Sequence, residues 1–119
     1  MHREFAIETS PVDGDGVLVS VRGEIDLFTA PEFKAAVFEA MSSGAGAVAI
    51  DLTRTTFLDS SSLGVLIGAH RRLSRRGRRL VVVCDHPSVL KVLRVTGLDG
   101  VFEIVDSMPP AQRDSAAVG

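Results

Sequence analysis

Two apolar runs of strand length, residues 47–52 (AVAIDL) and 80–84 (LVVVC), constrain this chain more than any other feature. Such runs lack the alternation of a half-solvated strand, so both faces of each need cover, as happens inside a parallel sheet. Parallel neighbours cannot be joined by a tight turn; the chain must cross over, usually through a helix. The residues between supply one. From position 59 to about 76, Leu63, Leu66, Ile67, His70 and Leu73 recur at helical spacing until Gly77 stops the pattern.

The same logic extends in both directions. Upstream, Thr29, Ala30, Pro31 and Glu32 spell a capping box with proline in the first turn. Phe33, Val37, Ala40 and Met41 follow at helical spacing, and Gly44 and Gly46 end that helix. Downstream, Asp85, His86 and Pro87 open a third helix through Val95, closed by Gly97, and residues 102–105 make a short last strand. At the amino end Phe5 and Ile7 alternate with Glu4, Ala6 and Glu8, while Val17, Val19 and Val21 share one face of residues 17–22. The segment PVDGDG between them is dense in turn formers, which predicts an antiparallel hairpin. The expected fold is therefore α/β, a mixed β-sheet in β-β-α-β-α-β-α-β order with helices packed against it. Residues 1–106 are expected to form the single domain, with 107–119, which hold Pro109 and Pro110, as a flexible tail.

Composition narrows the function. Hydrophobic residues at 45% and charged residues at 24% describe a folded domain with a real core. Six Phe with no Trp or Tyr argue against aromatic base stacking, and a net charge of -2 argues against direct nucleic-acid binding. The charge is uneven, since RRLSRRGRR over residues 71–79 concentrates six arginines without an acid. Two readings stand for that run: a solvated helix end whose cations suit the dipole, or a phosphate-binding patch. A lone Cys84 allows no intrachain disulfide and no CxxC metal pair. No stretch approaches the roughly 20 apolar residues of a membrane span, and MHREFAIETS is not a signal peptide. A cytoplasmic protein with no membrane association, metal or cofactor is expected.

The most informative segment is TFLDSSSLGVLIGAHRRL, residues 56–73. Asp59 is a good N-cap, and three serines fill the turn behind it. At about 100° per residue, Ser60 and Ser62 fall on the flanks of the apolar face, whereas Ser61 falls almost opposite it. One hydroxyl, that of Ser61, should stand exposed at the start of a helix. Its outward neighbours are Gly64, Val65 and Gly68. Two glycines inside a helix cost about 1 kcal/mol each relative to alanine. Either another protein's surface comes close there, with Val65 as an apolar contact, or the glycines let the helix pack tightly on its own sheet.

With these phrases in view, the chain resembles bacterial anti-sigma-factor antagonists of the STAS class. DSSSLGVLIGAHRRL matches their Asp-Ser-Ser-Gly-Leu-Gly phrase, RGEIDLFTAPEF their exit from the second strand, and VLRVTGLDGVFEI their final helix and strand. The resemblance covers residues 5–106. It implies a partner switch: the unmodified protein binds an anti-sigma factor that is also a serine kinase, which frees a sigma factor. Phosphorylation of the second serine, here Ser61, reverses this, and a protein serine phosphatase resets it. It also implies partner contacts at Asp59, Ser60, Ser61 and Ser62, and at Asp26 and Glu24, which are expected in a strand–helix loop; solvated turn chemistry is the other reading of those two acids. The departure is Ser62, where the family commonly has Gly. A side chain there would crowd a kinase or offer a competing acceptor, which keeps open a STAS scaffold or transport-accessory subunit not regulated by phosphorylation.

Catalysis finds little support. Ser61 lies in no GxSxG elbow, and no feature places a base beside it. His2 is terminal, His86 sits in a turn and His70 shares the helix's buried phase. Asp51 ends a buried strand as a receiver's phosphoacceptor would, but Lys34 and Lys91 are not where a receiver needs its lysine.

Overall fold

The computed structural model describes residues 5–107, so the expected tail lies, apart from Ser107, outside the described residues, as does His2. The element order is β1 (Ala6–Val12), β2 (Gly16–Ile25), α1 (Ala30–Ser43), β3 (Val48–Leu58), α2 (Ser60–Ser74), β4 (Leu80–Val83), α3 (Pro87–Val95), a 3₁₀ turn (Leu98–Gly100) and β5 (Glu103–Val105). The strands lie in the spatial order β1-β2-β3-β4-β5. β1 is antiparallel to β2, and β2 through β5 are mutually parallel. The mixed α/β sheet and the element order expected from the sequence are what the chain forms.

Alternation sorts the sheet into two faces. Val17, Val19, Val21, Val48, Ile50, Leu52, Leu80 and Val82 join the helices' Phe33, Val37, Leu66, Leu73, Val89 and Leu93 in the main core. The opposite face carries a smaller strip, Ala49 and Val83 with Leu18, Val81 and Val105 against them, and no helix residue takes part in it. The helices thus share one side of the sheet.

Three boundaries differ from expectation, each for a local reason. Pro11 and Val12 belong to β1, paired with Val17 and Gly16, so the turn shrinks to residues 13–15; β1 is an edge strand, where a proline costs no ladder bond. Residues 53–58 are strand, not connection. β2 and β3 slip register twice, between Ser20 and Arg22 and between Gly23 and Glu24, which breaks the period-two pattern that would have revealed the pairing. Gly23 sits at the second slip with φ of 100°, a backbone state that suits glycine. Thr55, fully buried, repairs the disturbed ladder by donating its Oγ1 proton to the Val21 carbonyl at 3.0 Å. Glu24 accordingly lies on β2, opposite Phe57, and not in a loop.

The third difference concerns Thr29. It stands at the N-cap of α1 but makes no side-chain cap bond. Its hydroxyl donates to the Glu24 carbonyl at 3.0 Å and accepts from the Asp26 amide at 2.9 Å. The capping box written in the sequence is displaced by a tighter turn built on Asp26.

Candidate functional site

The site forms where β2 and β3 end and α2 begins. Asp59 is extended (φ -95°, ψ -178°) and caps α2 by accepting from the Ser62 amide at 3.0 Å. Its own amide donates to the Ile25 carbonyl at 3.1 Å, which staples the start of α2 to the end of β2.

The three serines part company here. Ser62 is wholly buried, its hydroxyl 2.9 Å from Asp59 Oδ1 and 3.2 Å from the Ile25 carbonyl, with one proton to serve both. Ser60 and Ser61 are exposed. Among the described residues the Ser61 hydroxyl engages no hydrogen-bond partner. The outward phase read for Ser61 holds, while Ser62 is corrected from flank to interior. The buried side of α2 is Ser62, Leu63, Leu66, Ala69 and Leu73, with Ile67 and His70 only half-buried. At 100° per residue that stripe is turned by about 50° from the expected one. The helix packs on α1 as well as on β4, so the small Ser62 and Ala69 join its covered side.

Gly64 does not serve packing on the chain's own sheet: a Cβ there would meet nothing within 4 Å, and one at Gly68 would only touch Phe38 at 3.9 Å. Both line a groove of about 580 Å³ between α1 and α2, together with Val65 and Ser61. Its other wall, which the sequence reading missed, is Leu27, Pro31, Lys34 and Phe38. Their spacing of four, three and four residues was the available signal: a second stripe on α1 and the turn before it, diluted by a lysine and a proline. Arg72 closes the far end with its guanidinium 4.8 Å over the Phe38 ring.

Leu27, which shares the groove with Ser61, is 70% exposed. Glu24 and Phe57, paired across β2 and β3, are exposed on the sheet face away from the helices, since their neighbours Ile25 and Leu58 belong to the main core. Asp26 is half-buried. Asp26 Oδ1 accepts from the Phe28 amide at 2.9 Å and the Thr29 amide at 3.1 Å, so that oxygen holds the turn.

Part of the arginine run is spent on structure. Arg78 donates from Nε to the Gly46 carbonyl and from Nη1 to the Met41 carbonyl, each at 2.9 Å, and so caps the end of α1. Arg79 makes a two-pronged ion pair with Glu103 on β5, which raises its pKa further. Asp51, the receiver candidate, accepts from both the amide and the hydroxyl of Thr53. Burial pushes the Cys84 thiol up from its ordinary value, with Asp85 adding to the effect against a backbone bond at His86, so the proton stays on sulfur. His70 stacks edge-on to Phe102 with centroids 5.7 Å apart. Among the described residues no three His, Cys, Asp or Glu side chains gather as a metal-binding group. No helix among them is long and apolar enough to cross a membrane.

Comparison with known proteins agrees with this fold. The STAS domain family model matches residues 6–111. An anti-sigma-B factor antagonist of Listeria monocytogenes is 34% identical over 100 residues, which cover 84% of this chain and 88% of that one. The crystal structure of an anti-sigma factor antagonist from Mycobacterium paratuberculosis superposes with a TM-score of 0.79 at 29% identity, over 96% of this chain and 92% of the other. The Bacillus cell fate determinant SpoIIAA in its phosphorylated form shares the fold, with a TM-score of 0.70 at 23% identity over 96% and 100% of the two chains.

Proposed function

The chain belongs to the STAS domain family, and from that premise we propose that it is an anti-sigma factor antagonist switched by phosphorylation of Ser61. Its partner is an anti-sigma factor with serine kinase activity; the unmodified chain binds it and frees a sigma factor, and a protein serine phosphatase restores the binding form. The chain itself catalyses nothing and works in the cytoplasm.

One observation carries this reading: of three adjacent serines, Ser61 combines an exposed, unpartnered hydroxyl with a place on the rim of an apolar groove. Ser60 is also exposed but lies outside that groove's lining, and Ser62 is buried and engaged. The side chain at 62 that departs from the family pattern faces inward, so it neither crowds an approaching kinase nor competes as acceptor.

The physics of the switch follows from that position. A phosphate adds about −1.5 to −2 charges and three acceptor oxygens. The free amides and the dipole at the start of α2 favour such a charge, so the fold tolerates it. A partner does not, because it would have to desolvate a dianion beside Asp59 and Asp26 to close on Leu27 and Val65.

The test is phosphorylation by the anti-sigma kinase of the same genome, followed by site mapping and by binding of both forms. A single phosphate on Ser61 and at least a hundredfold loss of affinity are expected. Phosphate on Ser60 or Ser62 instead, or equal binding of the two forms, would overturn the assignment. Recovery of a membrane transporter as the sole stable partner would move the chain to the unswitched branch of its family.

A further inference from the structure

The groove between α1 and α2 is more than a rim for Ser61. Its floor is bare at Gly64 and Gly68, where no neighbouring atom requires the missing Cβ. Helix-interior glycines weaken a helix, and among the described residues no close approach is gained in return. The charges in the groove have one sign: Lys34 and Arg72 line it, and no carboxylate does. The chain as a whole carries an excess of acid, fifteen Asp and Glu against thirteen Lys and Arg.

The charges are also ordered along the groove. α1 and α2 both run back from the ends of parallel strands β2 and β3, so they lie side by side in the same direction. Phe38 faces Gly68, which sets Lys34, one turn earlier, level with Gly64. Arg72 lies one turn beyond Gly68, held over Phe38. From Ser61 to Arg72 is eleven residues, about 16 Å at 1.5 Å per residue, the length of a three-turn helix. A trough between two helices, apolar and open, takes a third helix as its natural filling.

We infer that this groove receives a three-turn amphipathic helix of the partner, apolar toward Gly64, Val65 and Gly68, and carboxylate-bearing where it meets Lys34 and Arg72. The inference rests on the partner-switch reading and adds the partner's chemistry to it. The helix end near Ser61 lies against Asp59 and Asp26, where carboxylates would be repelled, so charge fixes the direction in which it lies.

The test measures affinity of the purified anti-sigma kinase for the full chain, for Lys34→Glu/Arg72→Glu, for Gly64→Ala and for the Ser61 phosphoprotein. The double reversal is expected to weaken binding at least tenfold, and a carboxylate-to-lysine change in the kinase helix to restore it. Gly64→Ala is expected to raise the melting temperature while lowering affinity severalfold, a split that a damaged fold cannot produce. Unchanged affinity in both variants overturns the groove even if phosphorylation still blocks binding, which leaves the switch intact. The converse, reversal weakening binding while phosphate does not, supports the groove and removes the switch. Failure of the kinase to bind the unmodified chain overturns both. A dimer of this chain that Lys34→Glu/Arg72→Glu dissolves overturns it too, since the occupant is then a second copy.

Discussion

The two ends of α2 look equally polar in sequence, DSSS at one and RRLSRRGRR at the other, yet they do opposite things with their polar groups. At the carboxyl end two of the six arginines are spent on structure. Arg78 reaches back to the Met41 and Gly46 carbonyls, and Arg79 reaches across to Glu103. At the amino end Asp59 and Ser62 satisfy one another and the end of β2, and of the two exposed serines Ser61 is the one on the groove. A run of charge is thus weak evidence for a ligand site, because long side chains find backbone carbonyls. A short hydroxyl that its neighbours have no use for, set on the rim of a groove, says more. The solvated-end and phosphate-patch readings of the arginines both give way to this third one for Arg78 and Arg79.

The contrast breaks most visibly at Arg78. Its Nε and Nη1 satisfy two carbonyls, while Nη2 is buried with no partner and offsets part of the gain. Arg78→Ala is expected to destabilise the domain by about 2–3 kcal/mol, from two charge-assisted hydrogen bonds. Urea unfolding measures this, and a loss below half a kilocalorie would return the arginine run to the solvent. Kinase affinity should stay within twofold, because Arg78 is remote from Ser61.

Ser62 tests the saturated side of the amino end. Its hydroxyl is one of two donors to the Ile25 carbonyl, the Asp59 amide being the other, so truncation strands no acceptor. Ser62→Ala should therefore cost only about 1 kcal/mol, and Ser62→Gly, the family's usual residue, about 1 kcal/mol more through helix propensity. In both, the rate of Ser61 phosphorylation should hold within twofold. A faster rate in Ser62→Gly would show that the side chain does crowd the kinase, contrary to its inward orientation.

How much of this could be read in advance follows the same division between local and long-range causes. The order of elements, the Asp59 cap and the outward phase of Ser61 depend on short-range spacing, and the sequence reading found them. The extension of β3 through Thr53, Arg54 and Thr55 depends on a slipped pairing with β2, which no window of β3 alone contains. The capping box at Thr29 was well formed as a pattern but lost to Asp26, three residues upstream: its carboxylate takes the Thr29 amide that Glu32 would have capped, and the Thr29 hydroxyl is engaged by the Glu24 carbonyl and the Asp26 amide. The burial of Ser62 depends on a second packing partner for α2, and the Leu27, Lys34 and Phe38 wall on two helices meeting. Neither is a property of one helical wheel.

The open side of the amino end is probed by Ser61→Asp. An added carboxylate in the first turn of α2 interacts with the helix dipole, so stability should rise by about 0.3–1 kcal/mol, and less in high salt. Thermal unfolding at two salt concentrations measures this. A fall in stability would mean that the hydroxyl has an internal role after all, and the asymmetry between the two ends of α2 would disappear.

The smallest effect belongs to the arginine that looks best paired. Arg79 and Glu103 meet through two contacts, but their side chains are 62% and 45% exposed. Water screens the attraction, and ordering two long side chains offsets much of what remains. The raised pKa of Arg79 therefore translates into little stability. Arg79→Ala should cost no more than about 0.5 kcal/mol, and 1 M salt should erase most of that. The pair joins the residue before β4 to β5, the shortest strand and an edge of the sheet. Amide exchange at Ile104 and Val105 is thus the more sensitive readout: it should quicken in the variant while global unfolding barely moves. If the global midpoint shifts as far as in Arg78→Ala, the carboxyl end of α2 is held by surface charge and not by the carbonyl clamp.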